Sequence, residues 1–128
     1  MWLLPALAHA VLIFALSSHS APVRAYPFAH ADKFMHAGAF GLLAFLTAWG
    51  LHRGWSEWRL RRVLLLAFLV AVTYGASDEL HQLFVPRRYT DPFDWMADCV
   101  GAFLALTLFV WWRRRATSPA TSASTPPS

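Results

Sequence analysis

The sequence predicts an all-α membrane protein in which four transmembrane helices form a compact bundle. Of the 128 residues, 57% are hydrophobic and 14% are charged, whereas a soluble domain usually carries about 25% charged residues. The mean hydropathy is +0.40, and four apolar segments follow one another along the chain. These observations favour a bilayer over water as the surroundings of the fold.

The four apolar segments are close to the length that a membrane helix needs, which is roughly 17 to 25 residues. They span residues 2–16, 34–51, 63–82 and 95–112. The first is short unless Ser17 and Ser18 join it, and a cleaved signal peptide is the alternative interpretation. No lysine or arginine precedes it, and Ser18-His19-Ser20-Ala21 is a poor cleavage site, so we expect a retained span.

A chain of this length forms one domain at most. We assign residues 1–115 to the membrane domain. Residues 116–128 contain only Ser, Thr, Pro and Ala, so we expect a disordered cytoplasmic tail there. Cys99 is the only cysteine, which excludes an internal disulfide and a cysteine-type zinc motif.

Basic residues predict how the bundle is oriented in the membrane. Seven follow the second and fourth segments: Arg53, Arg59, Arg61, Arg62, Arg113, Arg114 and Arg115. Four lie at the opposite ends: Arg24, Lys33, Arg87 and Arg88. The positive-inside rule then places both termini in the cytoplasm. The net charge of +4 arises from these short clusters beside apolar runs, which is typical of topology signals, and we expect no nucleic-acid partner.

An unusually polar run separates the third and fourth segments. It contains Asp78, Glu79, His81 and Gln82, then Arg87 and Arg88, then Asp91, Asp94 and Asp98. An ionisable group at the centre of a bilayer costs on the order of 3 kcal/mol, so such groups are rare and usually face a polar interior. Their concentration between two apolar segments indicates a site.

Helical spacing places these residues on shared faces. One face of the third segment carries Ala71, Gly75, Asp78, Glu79 and Gln82, and one face of the fourth carries Asp94, Asp98, Gly101 and Ala105. The second segment has a stripe of small residues with His36 at its outer end: Ala37, Gly41, Ala44 and Ala48. Small residues let membrane helices approach closely. We therefore predict an outward-facing pocket lined by His36, Glu79, Gln82, Asp94 and Asp98.

Each residue type in this pocket suits a particular chemical role. Glu79 and His36 are candidates for acid–base catalysis. The substrate-binding candidates beside them are Gln82, His81, Asp78, Asp94 and Asp98. Arg88, helped by Arg87, suits an anion such as a phosphate. The structural alternatives are an interfacial histidine bonded across helices, a Glu79–Arg88 ion pair, and arginines that only anchor a loop.

The carboxylates Asp94 and Asp98, with Glu79 and His36, have the oxygen ligands that a hard divalent cation prefers. The chain lacks a tight ligand motif such as His-Glu-x-x-His, so the sequence assigns no metal ligand. Any cofactor is left open. Asp91 precedes Pro92 and is expected to be a loop residue or the start of a helix. Pro86 is expected to end the third helix.

At these residues the chain resembles the VanZ-like family of small bacterial membrane proteins, over residues 32–106. The matching motifs are Asp32-Lys33-Phe34-Met35-His36, then Asp78-Glu79-Leu80-His81-Gln82-Leu83-Phe84-Val85-Pro86-Arg87-Arg88, then Asp94-Trp95-Met96-Ala97-Asp98-Cys99-Val100-Gly101. Two positions depart from the family pattern. Arg87 stands where a Gly is common, so Arg88 is the counterpart of the motif arginine, and Asp98 stands where many members have Asn.

The resemblance implies a multi-pass protein of the bacterial cytoplasmic membrane that acts in the cell envelope. The founding member is associated with resistance to the glycopeptide antibiotic teicoplanin, and the resemblance implies no known reaction. We expect a pocket that binds an anionic lipid or a lipid-linked cell-wall precursor, with hydrolytic or transfer chemistry left open. The alternative is a non-catalytic scaffold whose polar residues form a structural network. A transporter ranks third because four short helices leave little room for alternating access.

Overall fold

The computed structural model describes residues 1–19 and 30–117, and within them the chain is helical with no strand. The helices are α1 (Leu4–Ser17), α2 (Ala31–Gly54), α3 (Leu60–Gln82) and α4 (Pro92–Thr117). Each predicted segment coincides with one helix, although α2, α3 and α4 begin three residues earlier than predicted. Arg24 and the tail beyond Thr117 lie outside the described residues, whereas α4 includes the first two residues of the predicted tail.

Three of these helices have the dimensions of membrane spans. α2, α3 and α4 are long and apolar enough to cross a membrane, which indicates a multi-pass membrane protein. α1 has 14 residues and is therefore about 21 Å long at 1.5 Å per residue, shorter than the hydrocarbon core of a bilayer. Large apolar side chains cover the outer surface of the long helices, among them Leu65, Leu69, Phe103, Leu104 and Leu108.

Small residues bring the long helices together, as the stripe on α2 predicts. Ala44 and Ala48 of α2, Ala67 and Ala71 of α3, and Ala102 of α4 are fully buried. α2 and α4 share the most extensive contact. A Cβ atom on Gly41 would lie 2.9 Å from the carbonyl oxygen of Gly101, so the two backbones approach more closely than any larger residue allows.

Polar contacts attach α1 to this three-helix core. The His9 Nε2 atom lies 2.9 Å from the carbonyl oxygen of Ala39 in α2. The Tyr74 hydroxyl of α3 donates to the carbonyl oxygen of Ala10 over 2.8 Å. Hydrogen bonds of this kind hold helices together where apolar burial provides little driving force. His9 has no role that the sequence suggests, and the structure gives it one in packing.

The helices alternate in direction, so the bundle has two chemically different ends. α2 and α4 begin, and α1 and α3 end, at what we name the polar end. The opposite, basic end carries the arginines of the last turns of α2 and α4 and those at the start of α3. There the Arg53 guanidinium lies 5.2 Å from the centre of the Trp2 ring. At the polar end the Ser18 hydroxyl lies 3.1 Å from Nε2 of His81.

Candidate functional site

The first turn of α2 supplies a lysine that binds three carboxylates at the polar end. Lys33 Nζ donates to Asp91 and to Asp94 over 2.7 Å each, and to Asp32 over 3.3 Å. Asp91 precedes α4 and Asp94 lies in its first turn, so Lys33 joins the beginnings of α2 and α4. The ammonium group holds the pKa of the Asp91 carboxyl below its usual range, with help from the Phe93 N–H.

One turn further along α2, His36 faces two carboxylates of α4. Its Nδ1 lies 3.1 Å from Oδ1 of Asp98, and its Nε2 lies 4.0 Å from Oδ2 of Asp94. Asp98 is fully buried. A Cβ atom on Gly75 of α3 would stand 2.7 Å from Oδ2 of Asp98, so the glycine provides the space that the carboxylate occupies. The small residue and the acid are therefore parts of one arrangement.

The last turn of α3 contributes Asp78, Glu79 and Gln82, all of them buried. Gln82 Nε2 donates to Oδ2 of Asp78 over 3.0 Å. Oε2 of Glu79 accepts the backbone N–H of Asp91 over 3.0 Å, while Oδ1 of Asp91 accepts the N–H of Phe93 over 2.9 Å. Asp91 therefore begins α4, as predicted, and also connects α4 to α3.

Two buried carboxylate oxygens in this region have no hydrogen-bond partner among the described residues: Oε1 of Glu79 and Oδ2 of Asp98. Buried polar atoms in folded proteins are almost always hydrogen-bonded, because an unpaired one keeps the full cost of leaving water. Unsatisfied groups of this kind are found at functional sites. The described residues contain one other unpaired atom of this kind, Nδ1 of His52 near the opposite end of α2.

Arg88 lies at the edge of these residues and contacts α1. It donates to the carbonyl oxygens of His19 (3.2 Å) and Leu16 (3.3 Å), at the end of that helix. It forms no ion pair with Glu79 within 4.0 Å, so the paired arrangement considered from the sequence is not present. Arg88 instead lines a cavity of about 140 Å³ together with Asp32, His36, Asp78 and Gln82.

The other two predicted binding residues point elsewhere. His81 contacts α1, where its ring lies 4.9 Å from that of Phe14. Arg87 is exposed, with a φ of 63°. This left-handed conformation favours glycine, which accounts for the glycine expected at this position from the VanZ-like pattern. α3 ends at Gln82, four residues before Pro86, and tighter turns follow it.

The structure thus brings together six of the nine predicted residues: His36, Asp78, Glu79, Gln82, Asp94 and Asp98. It adds Asp32, Lys33 and Asp91, and we call these nine residues the polar cluster. The sequence patterns place Lys33 among the basic residues and in the first VanZ-like motif, but not among the candidate site residues. Its position three residues before His36 places it on the same helical face, a signal that would have identified it.

The arrangement of His36, Asp98 and Glu79 suits acid–base chemistry or metal binding. An ionised carboxylate only accepts hydrogen bonds, so next to an ionised Asp98 a neutral His36 would carry its proton on Nδ1 and leave Nε2 as the basic nitrogen. An imidazole oriented in this way is suited to general-base catalysis or to metal binding. Glu79 offers a free carboxylate oxygen beside it.

Comparison with known proteins identifies the family. The VanZ/LLP1 family model matches residues 2–113. This range includes every residue of the polar cluster and all four helices, apart from the last four residues of α4. No curated protein and no solved structure matches the chain. Because the family model covers most of the 128 residues, the chain belongs to the VanZ-like family.

Proposed function

We propose that this VanZ-like protein binds the headgroup of an anionic lipid or lipid-linked cell-wall precursor at its polar end. The observation that carries the proposal is the cavity lined by Arg88. One wall has the polar side chains of Asp32, His36, Asp78 and Gln82, and the other has apolar residues of α1 and α2, including Ile13, Met35 and Phe40. A lipid presents the same combination of a polar head and an apolar chain.

The distribution of charge indicates where an anionic headgroup would bind. Six carboxylates belong to the polar cluster, and Lys33 is already paired with three of them. An anion is therefore repelled from the centre of the cluster and attracted to Arg88 at its edge. A guanidinium suits phosphate because it donates two parallel hydrogen bonds. Arg87, one residue earlier and exposed, adds a positive charge nearby.

An apolar groove of about 420 Å³ offers room for a hydrocarbon chain. It is lined by Phe34 and Ala37 of α2 and by Phe93, Met96 and Val100 of α4, with Lys33 at its polar edge. Its position beside the polar cluster supports an amphiphilic ligand. A soluble anion would not need such a surface.

A hydrolytic or transfer step on the bound lipid would use Glu79 and His36. Either could accept a proton from a water or hydroxyl group as its oxygen bonds to phosphorus, and return that proton to the oxygen whose bond to phosphorus breaks. Arg88 would offset the charge that develops on the phosphate. The orientation of His36 by Asp98 supports this role. Such a reaction requires lipid binding first, so lipid binding and turnover of the bound lipid are measured separately.

Orientation in the bilayer is the second part of the proposal. All four helices of the 1–115 domain cross the bacterial cytoplasmic membrane, with both termini in the cytoplasm and the polar cluster at the outer surface. The arginines gathered at the basic end support this orientation. α1 is short, but Trp2 at its start and Ser18 just beyond its end contact opposite ends of the bundle. Local thinning of a bilayer accommodates helices of such length.

A non-catalytic scaffold is the second candidate function. The bonds from Lys33 to three acids and from Gln82 to Asp78 are what such a network requires. The unpaired oxygens of Glu79 and Asp98 speak against it, because a structural network is stable when all its members are satisfied. The two candidates differ in whether single variants lose ligand binding without losing stability.

Lipid binding by the detergent-purified protein tests the proposal. Native mass spectrometry with dioleoylphosphatidylglycerol, a polyprenyl phosphate and dioleoylphosphatidylcholine should show retention of the two anionic lipids only. Arg88→Gln should reduce that retention at least fivefold, a loss of about 1 kcal/mol. Arg61→Gln, a charge-matched change at the basic end, should leave it unaltered. Equal retention of all three lipids, or no difference between the two variants, would contradict anionic-lipid binding.

A further inference from the structure

We propose that His36, Asp78 and Glu79 form a binding site for a divalent transition-metal ion, with Mn²⁺ and Zn²⁺ as the best-matched ions. One nitrogen or carboxylate oxygen from each residue can be chosen so that the three atoms all lie within 4.8 Å of one another. An imidazole with two carboxylates is a ligand set that such ions accept. Neither the sequence motifs nor the family match assigns a metal ligand, so the site follows from the packing of α2 against α3.

The second observation is the unpaired oxygen of a ligand residue. Glu79 is 91% buried, Oε2 accepts the N–H of Asp91, and Oε1 has no partner among the described residues. An ionised carboxylate oxygen removed from water requires a donor or a cation. A metal ion held between Glu79, Asp78 and His36 provides one. The buried and unpaired Oδ2 of Asp98 lies in the same cluster and has the same requirement.

The charges around the site also favour a cation. Lys33 binds three of the six acids of the polar cluster, namely Asp32, Asp91 and Asp94. The remaining three, Asp78, Glu79 and Asp98, have no lysine or arginine within 4.0 Å among the described residues, and only His36 approaches Asp98. Three buried acids without a permanent positive partner repel one another. A divalent ion offsets most of that repulsion.

Asp98 acts in this site as a positioning residue. Its bond to Nδ1 of His36 keeps the proton on that nitrogen and leaves Nε2 with the lone pair that a metal ion needs. Histidine ligands commonly donate their second ring nitrogen to a carboxylate in this manner.

Tetrahedral bonds of about 2.0 to 2.2 Å place two ligand atoms roughly 3.3 to 3.6 Å apart, and the three chosen atoms already lie within 4.8 Å of one another. A bound ion would join α2 and α3. The loaded protein should therefore melt at a higher temperature than the metal-free protein.

The role of the ion rests on the proposed function, because a cation beside Arg88 would give an anionic headgroup a second positive partner. Binding of the ion itself does not depend on lipid. Detergent-purified protein is stripped with a chelator, dialysed and titrated with Mn²⁺, followed by electron paramagnetic resonance, and with Zn²⁺, followed by calorimetry and thermal unfolding. We expect one ion per chain, nitrogen coupling to the bound Mn²⁺, and a higher melting temperature. If the wild-type protein binds neither Mn²⁺ nor Zn²⁺ saturably, the inference is overturned.

Variants test whether these residues hold the ion. Asp78→Asn and Glu79→Gln should each abolish saturable binding, and His36→Gln should also remove the nitrogen coupling. Asp98→Asn should weaken binding about 10- to 100-fold, as the loss of an orienting carboxylate does. The controls Glu57→Gln and His19→Gln, both exposed outside the polar cluster, should bind as the wild type does. Equal losses in the controls overturn the site, and if one ligand variant fails to fold, the other two still decide.

The lipid assay separates this inference from the proposed function. Lipid retention is measured for the chelator-treated protein and for the Mn²⁺-loaded protein. The loaded protein should retain more of the anionic lipids, and the same amount of phosphatidylcholine. Ion binding without any lipid retention supports the metal site and contradicts the proposed function. Lipid retention by a protein that binds neither ion supports the proposed function and overturns the metal site.

Discussion

The Nδ1 atom of His36 lies 3.1 Å from Oδ1 of Asp98, and this contact between α2 and α4 occurs where Asp98 is fully buried. The other oxygen of the same carboxylate has no hydrogen-bond partner in the described part of the chain. A protein selected only for stability would place an apolar residue here, because replacing buried ion pairs with apolar groups is often neutral or stabilising. We therefore include the pair in the proposed site.

Asp98→Asn should separate stability from function. The amide keeps the shape of the side chain but removes a buried negative charge, so we expect an unchanged or higher melting temperature for the metal-free protein. Metal affinity should fall about 10- to 100-fold. Retention of the anionic lipids in chelator should not fall, because the cluster loses a negative charge. Thermal unfolding in detergent beside both binding assays checks this, with Glu57→Gln as the control. A melting temperature lowered by more than that control, with binding intact, would support the scaffold interpretation.

Gly101→Ala should destabilise the bundle by about 1–3 kcal/mol or more, because the new methyl group would overlap the carbonyl oxygen of Ala37 across the α2–α4 contact. The backbone cannot rotate away as a side chain can. Gly38→Ala, at an exposed position of α2, is the control, since a Cβ there has nothing within 4 Å. Thermal unfolding in detergent should show a large loss for the first variant only. Equal effects would mean that α2 and α4 do not approach this closely.

Glu79→Gln and Arg88→Ala should act independently on stability. Arg88 donates to the end of α1 and Glu79 accepts from the start of α4, so they share no bond. A double-mutant cycle should therefore give a coupling free energy within about 0.5 kcal/mol of zero. The measurement is thermal or denaturant unfolding of all four forms. Recovery of both stability and activity in the double variant would instead show that Glu79 and Arg88 form an ion pair, and would support the scaffold interpretation.

The stabilising effect of Asp91 should depend on pH in the acid range. The nearby Lys33 ammonium lowers the pKa of Asp91 in the folded protein. Its contribution is thus fully present above the unfolded-state pKa of about 3.9. It is lost as the pH falls through the lower folded-state value.

Asp91→Ala should consequently melt below the wild type at neutral pH, and the gap should narrow below about pH 4. Asp91→Asn retains an acceptor for the Phe93 N–H and should fall between them. Melting temperatures of the three proteins measured from pH 3 to pH 8 check both statements. A gap that widens in acid would show that Asp91 is protonated in the folded protein.

Cysteine labelling should establish the orientation in the membrane. In a Cys99→Ser background, single cysteines near Arg24 and at Tyr89 should react with an impermeant thiol reagent in whole cells. A cysteine at Trp58, between α2 and α3, should react only after the cells are opened. The reverse pattern would put the basic end outside and the polar cluster in the cytoplasm.

Periodicity along the sequence determined which residues share a helical face. Asp78, Glu79 and Gln82 are buried beside Ala71 and Gly75, as their spacing at 3.6 residues per turn requires. The length of the apolar segments alone predicted the three long helices. The positions of the basic residues distinguished the two ends of the bundle. These properties depend on neighbours within a few turns of one helix, which the order of residues specifies directly.

Contacts between helices were decided only by the tertiary structure. Lys33 and Asp91 are 58 residues apart and meet at 2.7 Å, while Arg88 contacts α1 rather than Glu79. Such partners depend on how far each helix is rotated and on the path of the segment between α3 and α4. Both follow from the packing of small residues such as Gly41 against Gly101, where a fraction of an ångström changes which side chains can meet.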